Sequence, residues 1–271
     1  MEVDYTKCAK GHLDVVVKNK VAYATLNRPD RLNAMGDGMH EAIEEFFGMV
    51  PFDRNVNAVL ITGAGRAFSA GGDVKAMGDR ATGKATELDP GNLLRGPKRL
   101  VQNMVNCEVP VIAAINGPAI GLGATIALLA DVTFIAETAK IGDTHVKIGI
   151  TAGDGGALIW PYLVGPHRAK ELLMSGRLID GVEAARIGLV NHCVPAANLM
   201  KEATAYAQEL ADGATLAIRW TKISVNKQLW HGLNMIMDFC LISEQLAMNS
   251  QDHKEATTAF REKRAPVFKG V

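Results

Sequence analysis

The chain lacks any cysteine pairing pattern. Its four cysteines, Cys8, Cys107, Cys193 and Cys240, stand far apart in 271 residues with no CxxC spacing. That excludes a disulfide framework and a thiolate metal site, so no metal is expected, and it fits reduced thiols in the cytoplasm. Net charge is missing too, because 29 basic and 29 acidic side chains cancel. Without a basic stripe, neither nucleic acid nor an anionic membrane surface has an electrostatic reason to be the main partner, and a non-catalytic RNA-binding module is disfavoured. Low-complexity segments are absent, and 48% apolar with 21% charged residues is the balance of a chain that buries a sizeable core. The N-terminal stretch MEVDYTKCAKGHLDVVVKNK scatters charges where a secretory signal needs an apolar run. Residues 109 to 130 form an uncharged run long enough for a bilayer, but Pro110, Asn116, Gly117, Pro118, Gly121 and Gly123 divide it into strand, turn and helix.

What is present is alternation. DVVVKNKVAYATLN predicts a hairpin, while NAVLITG, PVIAAING and DVTFIAE predict buried strands. Met39, Ile43, Phe46 and Val50 recur at helical spacing behind Asp37, which is placed to cap that helix. Strands alternating with helices imply an α/β unit with parallel pairing. Beyond about residue 157 the pattern turns helical: HRAKELLMSG ends at Gly176, DGVEAARIG runs from Asp180 to Gly188, and three longer helices follow between about 196 and 264. The expected division is an α/β core over residues 1–200 and a helical region over 201–271.

Two stretches turn from a strand through glycine into a helix: GAGRAFSAGGDVKAM at 63–77 and INGPAIGLGATIALLAD at 115–131. A helix N-terminus presents unpaired N–H groups, and two converging ones can hold a developing oxyanion. Ordinary strand-to-helix turns would use glycine in the same places. A phosphate loop is disfavoured, since neither GxxxxGK[ST] nor GxGxxG occurs in them. THVKIGITAGDGG at 144–156 holds one imidazole and one carboxylate on a glycine-rich frame.

Together with LNRPDRLNAM at 26–35 and the tail AFREKRAPVFKG at 259–270, these turns resemble the crotonase superfamily, typified by enoyl-CoA hydratase. The resemblance implies a spiral of ββα repeats with a C-terminal helical trimerisation region, assembled as trimers or as hexamers built from two trimers. It implies an acyl-CoA substrate, with coenzyme A arriving as part of that substrate and no permanently bound cofactor. It implies an oxyanion hole made by the backbone amides of Gly72 and Leu122. Ala70, Asp73 and Val74 match the strand-loop that cradles pantetheine, and Phe260 and Lys263 match residues that contact the nucleotide end of coenzyme A bound to a neighbouring subunit.

The departures redirect the chemistry. Where enoyl-CoA hydratases carry a pair of glutamates, this chain aligns Thr125 and His145, and a hydroxyl is too weak an acid or base to replace a carboxylate. His145 and Asp154 are similar to the pair in the 6-oxocamphor hydrolase type of β-diketone hydrolase, whose late glutamate corresponds to Glu244. Glu244 stands out independently on an apolar stripe with Met237, Cys240, Leu241 and Met248, so it is expected to be buried. The resemblance therefore leaves two activities: acyl-CoA chemistry through an enolate, or retro-Claisen cleavage of a free diketone with His145 activating water. His12, His40, His167, His192, His231 and His253 are read as structural.

Overall fold

Asn19 and Lys20 both adopt left-handed backbone, with φ of 50° and 64°, the turn that brings two right-twisting strands back against each other. They join β1 (Leu13–Lys18) to β2 (Val21–Leu26), paired antiparallel. The computed structural model describes residues 3–6, 11–36, 38–81 and 96–271. From β2 onward every neighbour in the main sheet is parallel: β3 (Ala58–Gly63), β4 (Val111–Ile115), β6 (Val132–Ala136) and β9 (His192–Val194). The order is β1-β2-β3-β4-β6-β9. All of β4 is buried, as a parallel strand covered on both faces must be. A second sheet joins β5 (Ala119–Ile120), β7 (Lys140–Gly142) and β8 (Ile179–Asp180).

The helices are α1 (Met39–Met49), α2 (Val74–Ala81), α3 (Gly96–Asn106), α4 (Leu122–Leu128), α5 (Gly156–Ser175), α6 (Gly181–Arg186), α7 (Leu199–Asp212), α8 (Thr215–Met248) and α9 (Gln251–Glu262). Met39, Ile43 and Phe46 are buried along α1 as their spacing predicts; Asp37 lies outside the described residues, as does Cys8. Asp180 caps α6 by accepting the Glu183 amide at 2.9 Å. Gly176 ends α5 in left-handed conformation. That helix begins earlier than its sequence pattern, because Gly165 (φ 75°, ψ 160°) breaks it into two segments and the predicted HRAKELLMS helix is only the second.

Residues 109 to 130 lie inside as β4, β5 and α4, and no helix among the described residues is long and apolar enough to cross a membrane. The C-terminal helices join the same core through Leu199, Ala203, Ala207 and Ala211 of α7 and Leu233, Met237 and Leu241 of α8. Polar anchors fix the register of α8 against the sheet. Lys222 pairs with Asp131 at 2.7 Å and donates to the Val109 carbonyl at 2.8 Å, and Asn226 donates to the Val105 carbonyl at 2.9 Å. Removing one member of such a buried pair costs several kcal/mol, on the order of 3–5, so α8 has one seat. The result is the ββα spiral with a helical C-terminal region.

Candidate active site

The two glycine turns touch each other. The Met35 amide donates to the Gly71 carbonyl at 2.7 Å and the Asp73 amide to Met35 at 3.4 Å; on the other side Ser69 donates to Pro118 at 3.0 Å and Ile120 donates to Ser69 at 2.9 Å. This pairing uses the Gly71 carbonyl and the Asp73 amide, and the Gly72 N–H takes no part in it. Leu122 opens α4, where no carbonyl one turn earlier awaits its N–H. Glycine is required by the approach of the turns: a Cβ on Gly71 would stand 2.4 Å from the Ile120 carbonyl oxygen, and one on Gly123 would stand 2.7 Å from Ser69. The sequence thus brings the Gly72 and Leu122 turns into one place.

His145 opens a short 3-10 turn, His145–Ile148, directly after β7. Its Nδ1 lies 2.7 Å from Asp143 Oδ1 and its Nε2 lies 3.2 Å from Asp154 Oδ2. All three side chains are buried. An ionised carboxylate only accepts hydrogen bonds, so a ring nitrogen facing each one donates to each, and the ring carries both protons. Burial pushes the imidazole pKa down, but the charges and hydrogen bonds of Asp154 and Asp143 outweigh it and hold His145 well above its ordinary value. Burial likewise opposes ionisation of Asp154; the His145 cation and hydrogen bonds from His145, Thr125 and the Gly156 amide reverse that and keep its carboxyl below the usual range. Thr125 Oγ1 donates to Asp154 Oδ1 at 3.2 Å. The pair of His145 and Asp154 is therefore a trio: Asp143, which spacing does not single out, holds the other ring nitrogen.

The AGDGG frame is tight, where the sequence alone reads as flexible. A Cβ on Gly153 would meet Glu244 Oε2 at 2.5 Å, one on Gly155 would meet Thr125 Cγ2 at 2.8 Å, and one on Gly156 would meet Asp143 Oδ2 at 2.5 Å. Each glycine makes room for a polar residue of the site. Glu244, on α8, is buried as its apolar stripe predicts. Burial first, and then the charge of Asp154, push its pKa up to about 8, against a smaller opposing effect of His145. The cluster thus sets the His145 cation, favoured by its two acidic neighbours, against Asp154, favoured as a carboxylate, while burial and Asp154 hold Glu244 toward its protonated form. Asp143, His145 and Asp154 also bring ligand atoms within 4.8 Å of one another, a span a metal ion uses; hydrogen bonds already occupy both ring nitrogens, which accounts for the cluster by itself.

His40, read as structural, lies on α1 within electrostatic reach of Asp154, and burial pushes its pKa down. His253 Nδ1 donates to the Ile148 carbonyl at 2.7 Å, tying α9 to the His145 turn. Ala70, Asp73 and Val74 follow one another through the first glycine turn, each partly buried. Phe260 and Lys263 stand apart from the His145 cluster at the end of α9, with Phe260 59% exposed. Arg261 between them pairs with Asp79 at 2.7 Å and donates to the Lys75 carbonyl at 3.2 Å. The tail is thus fastened to α2 of its own chain, beside the first glycine turn.

Residues 17–271 match the family described as Enoyl-CoA hydratase/isomerase. A crotonyl-CoA hydratase from Syntrophomonas wolfei is 36% identical over 252 residues, 93% of this chain and 95% of the relative. A 1,2-epoxyphenylacetyl-CoA isomerase from Escherichia coli is 34% identical over 254 residues, covering 94% and 97%. A solved structure of an enoyl-CoA hydratase/isomerase from Mycobacterium paratuberculosis, 33% identical, superposes with a TM-score of 0.84 over 91% of this chain and 97% of that one. Matched from residue 17 through residue 271 and folded around the two paired turns, the chain belongs to the enoyl-CoA hydratase/isomerase family.

Proposed function

We propose that this chain acts on an acyl thioester of coenzyme A. The amides of Gly72 and Leu122 polarise the thioester carbonyl, and Glu244 moves a proton at the carbon beside it, with His145 and Asp154 completing the site. The observation that carries this reading is the meeting of His145, Asp154 and Glu244 beside the paired turns. Two donors aimed at one oxygen stabilise an enolate, and a buried carboxyl that is protonated near neutrality is matched to delivering or taking the proton that the enolate needs. Hydration by a pair of carboxylates is not the expected mechanism, because Thr125 donates to Asp154 where such a carboxylate would stand. Isomerisation, or protonation of an enolate left by bond cleavage, needs only one proton carrier.

The thioester is supported by the names of the two curated relatives, both of which are coenzyme A ester enzymes, and by the tail. Ala70, Asp73 and Val74 line the path for the pantetheine arm, and Phe260 with Lys263 offers an aromatic face and an ammonium for adenine and phosphate. A homotrimer or hexamer belongs to the same reading. Calorimetric titration with coenzyme A and with crotonyl-CoA, on the natural chain and on Lys263→Ala, tests it; binding that weakens in the variant is the expected result. No binding of either compound would overturn it.

A second reading rests on the same meeting of His, Asp and Glu: retro-Claisen hydrolysis of a free β-diketone, of the 6-oxocamphor hydrolase type. There water adds to one carbonyl, the carbon–carbon bond breaks, and its electron pair becomes the enolate held at Gly72 and Leu122. The two-sided hydrogen bonding of His145 counts against its acting as the base for that water. Cleavage of cyclic 1,3-diketones without coenzyme A binding would favour this reading over the first.

A further inference from the structure

We propose that Asp143 is a positioning residue that, opposite Asp154, fixes His145 as a standing cation against the Gly121–Leu122 turn and so leaves proton transfer to Glu244. This rests on the enolate reading above and deepens it. Asp143 Oδ1 accepts from the His145 amide at 3.1 Å and from Nδ1 at 2.7 Å, so one oxygen sets both the backbone and the ring. The ring's other face is set by Gly121: a Cβ there would stand 3.3 Å from His145 Cε1 and 3.4 Å from Nε2. Any side chain at Gly121 would crowd the imidazole and shift it from this turn. A positive ring held there adds its field to the amide dipoles at the place where an enolate oxygen gathers charge.

Asp143 is too costly to be mere packing. Its Oδ2 is buried with no hydrogen-bond partner among the described residues, and a naked carboxylate oxygen away from water is expensive unless a nearby cation compensates it. Among the described residues, the ring cation in contact with it is His145. The groups that face His145 are few. Asp154 approaches from the loop before α5, Glu244 from α8, His40 from α1 by way of Asp154, and His253 from α9 behind Ile148. With one cation already shared by two carboxylates, a third negative charge is disfavoured, which keeps Glu244 protonated and ready to give its proton.

The test is nitrogen NMR of histidine-labelled full-length protein, natural and Asp143→Asn, without ligand. In the natural protein both His145 ring nitrogens should stay protonated through neutral pH, with the Nδ1–H proton slow to exchange. In D143N the ring should titrate lower by roughly one unit or more. A neutral His145 ring at pH 7 in the natural protein, or an unchanged titration in D143N, would overturn the proposal. If D143N does not fold, the Nδ1–H resonance of the natural protein decides, and a fast-exchanging one counts against Asp143. Coenzyme A titrated into the natural protein keeps the two readings apart: its failure to bind sinks the thioester reading and leaves the NMR result standing.

Discussion

Glu244 closes onto Gly153: a methyl group at Gly153 would stand 2.5 Å from Glu244 Oε2 and 2.5 Å from the Cys240 carbonyl oxygen. The loop before α5 and the helix α8 thus meet with no room for a side chain. Gly153→Ala should push the two apart, and because one of the obstructing atoms is backbone, rotamer changes cannot relieve it. The expected loss is about 1–3 kcal/mol of stability, read from denaturant unfolding. Turnover should fall with it, since Glu244 leaves its place beside Asp154. A variant as stable and as active as the natural chain would show that the helix yields freely.

Glu244 also sets a pH dependence whose sign is opposite to that of ordinary paired acids. Burial and then Asp154 raise its pKa to about 8, so the folded state holds this proton more tightly than the unfolded one. Its contribution to stability is present below the ordinary carboxylate range and is lost as pH rises toward about 8. Glu244→Gln removes the ionisation. The variant should gain on the natural chain between the ordinary glutamate range and about pH 8 and run parallel above it, as measured by unfolding at a series of pH values. In turnover, the natural enzyme should lose kcat/KM above about pH 8 as the acid deprotonates, and the residual rate of Glu244→Gln should be flat there.

The sequence made Glu244 legible because burial on a helix is periodic: Met237, Cys240 and Leu241 repeat on its face and are all buried with it. The hairpin, the parallel strands and the Asp180 cap were readable for the same reason, as local chemistry at fixed offsets. Asp143 was not. Two residues before His145, it carries the look of an ordinary strand-end acid, and only the turn of β7 into the 3-10 segment folds it back onto Nδ1. The contact of His253 with Ile148 spans 105 residues, and that of His40 with Asp154 crosses from α1 to the loop before α5; neither leaves any period to detect. The glycines of AGDGG are equally opaque in the sequence, because the neighbours that make them clearance, Glu244, Thr125 and Asp143, are distant in the chain or on another element.

His145→Ala should lower kcat by about 10²-fold or more, the usual scale for removing a charged or proton-transferring group at a reacting centre. The structure adds a stability effect that the sequence did not foresee. Without the imidazolium, Asp143 and Asp154 are left buried with no cation between them, a loss on the order of 3–5 kcal/mol near neutrality. The raised pKa of His145 means that its contribution is complete below the ordinary histidine pKa and declines as pH rises from there through the folded-state value, so the variant should be weakest relative to the natural chain just below the ordinary histidine pKa. Stronger acid should narrow the gap as the freed carboxylates take up protons. Unfolding at pH 4 and pH 6 measures this, and an equal loss at both would mean that the ring acts by packing alone.

On the outer side of α8, Met235, Phe239, Ile242 and Leu246 repeat at offsets of four, three and four, and all four are exposed, Phe239 by 74%. A helix that is apolar on both sides is covered on both, and here one cover is the chain's own core, while the other is open to a second copy of the chain. If this face carries the trimer or hexamer that the family resemblance implies, the natural protein should sediment as that oligomer, and Met235→Glu with Phe239→Glu should release smaller species without unfolding them, since neither residue belongs to the core. The same variant decides which subunit the tail serves. Arg261 fastens α9 to Asp79 and Lys75 of its own chain, so Phe260 and Lys263 should still meet coenzyme A after dissociation, within about threefold of the natural affinity, a change of under 1 kcal/mol. A natural protein that sediments as a monomer would remove the interface. Coenzyme A binding that disappears together with the oligomer would instead assign the tail to a neighbouring subunit's site.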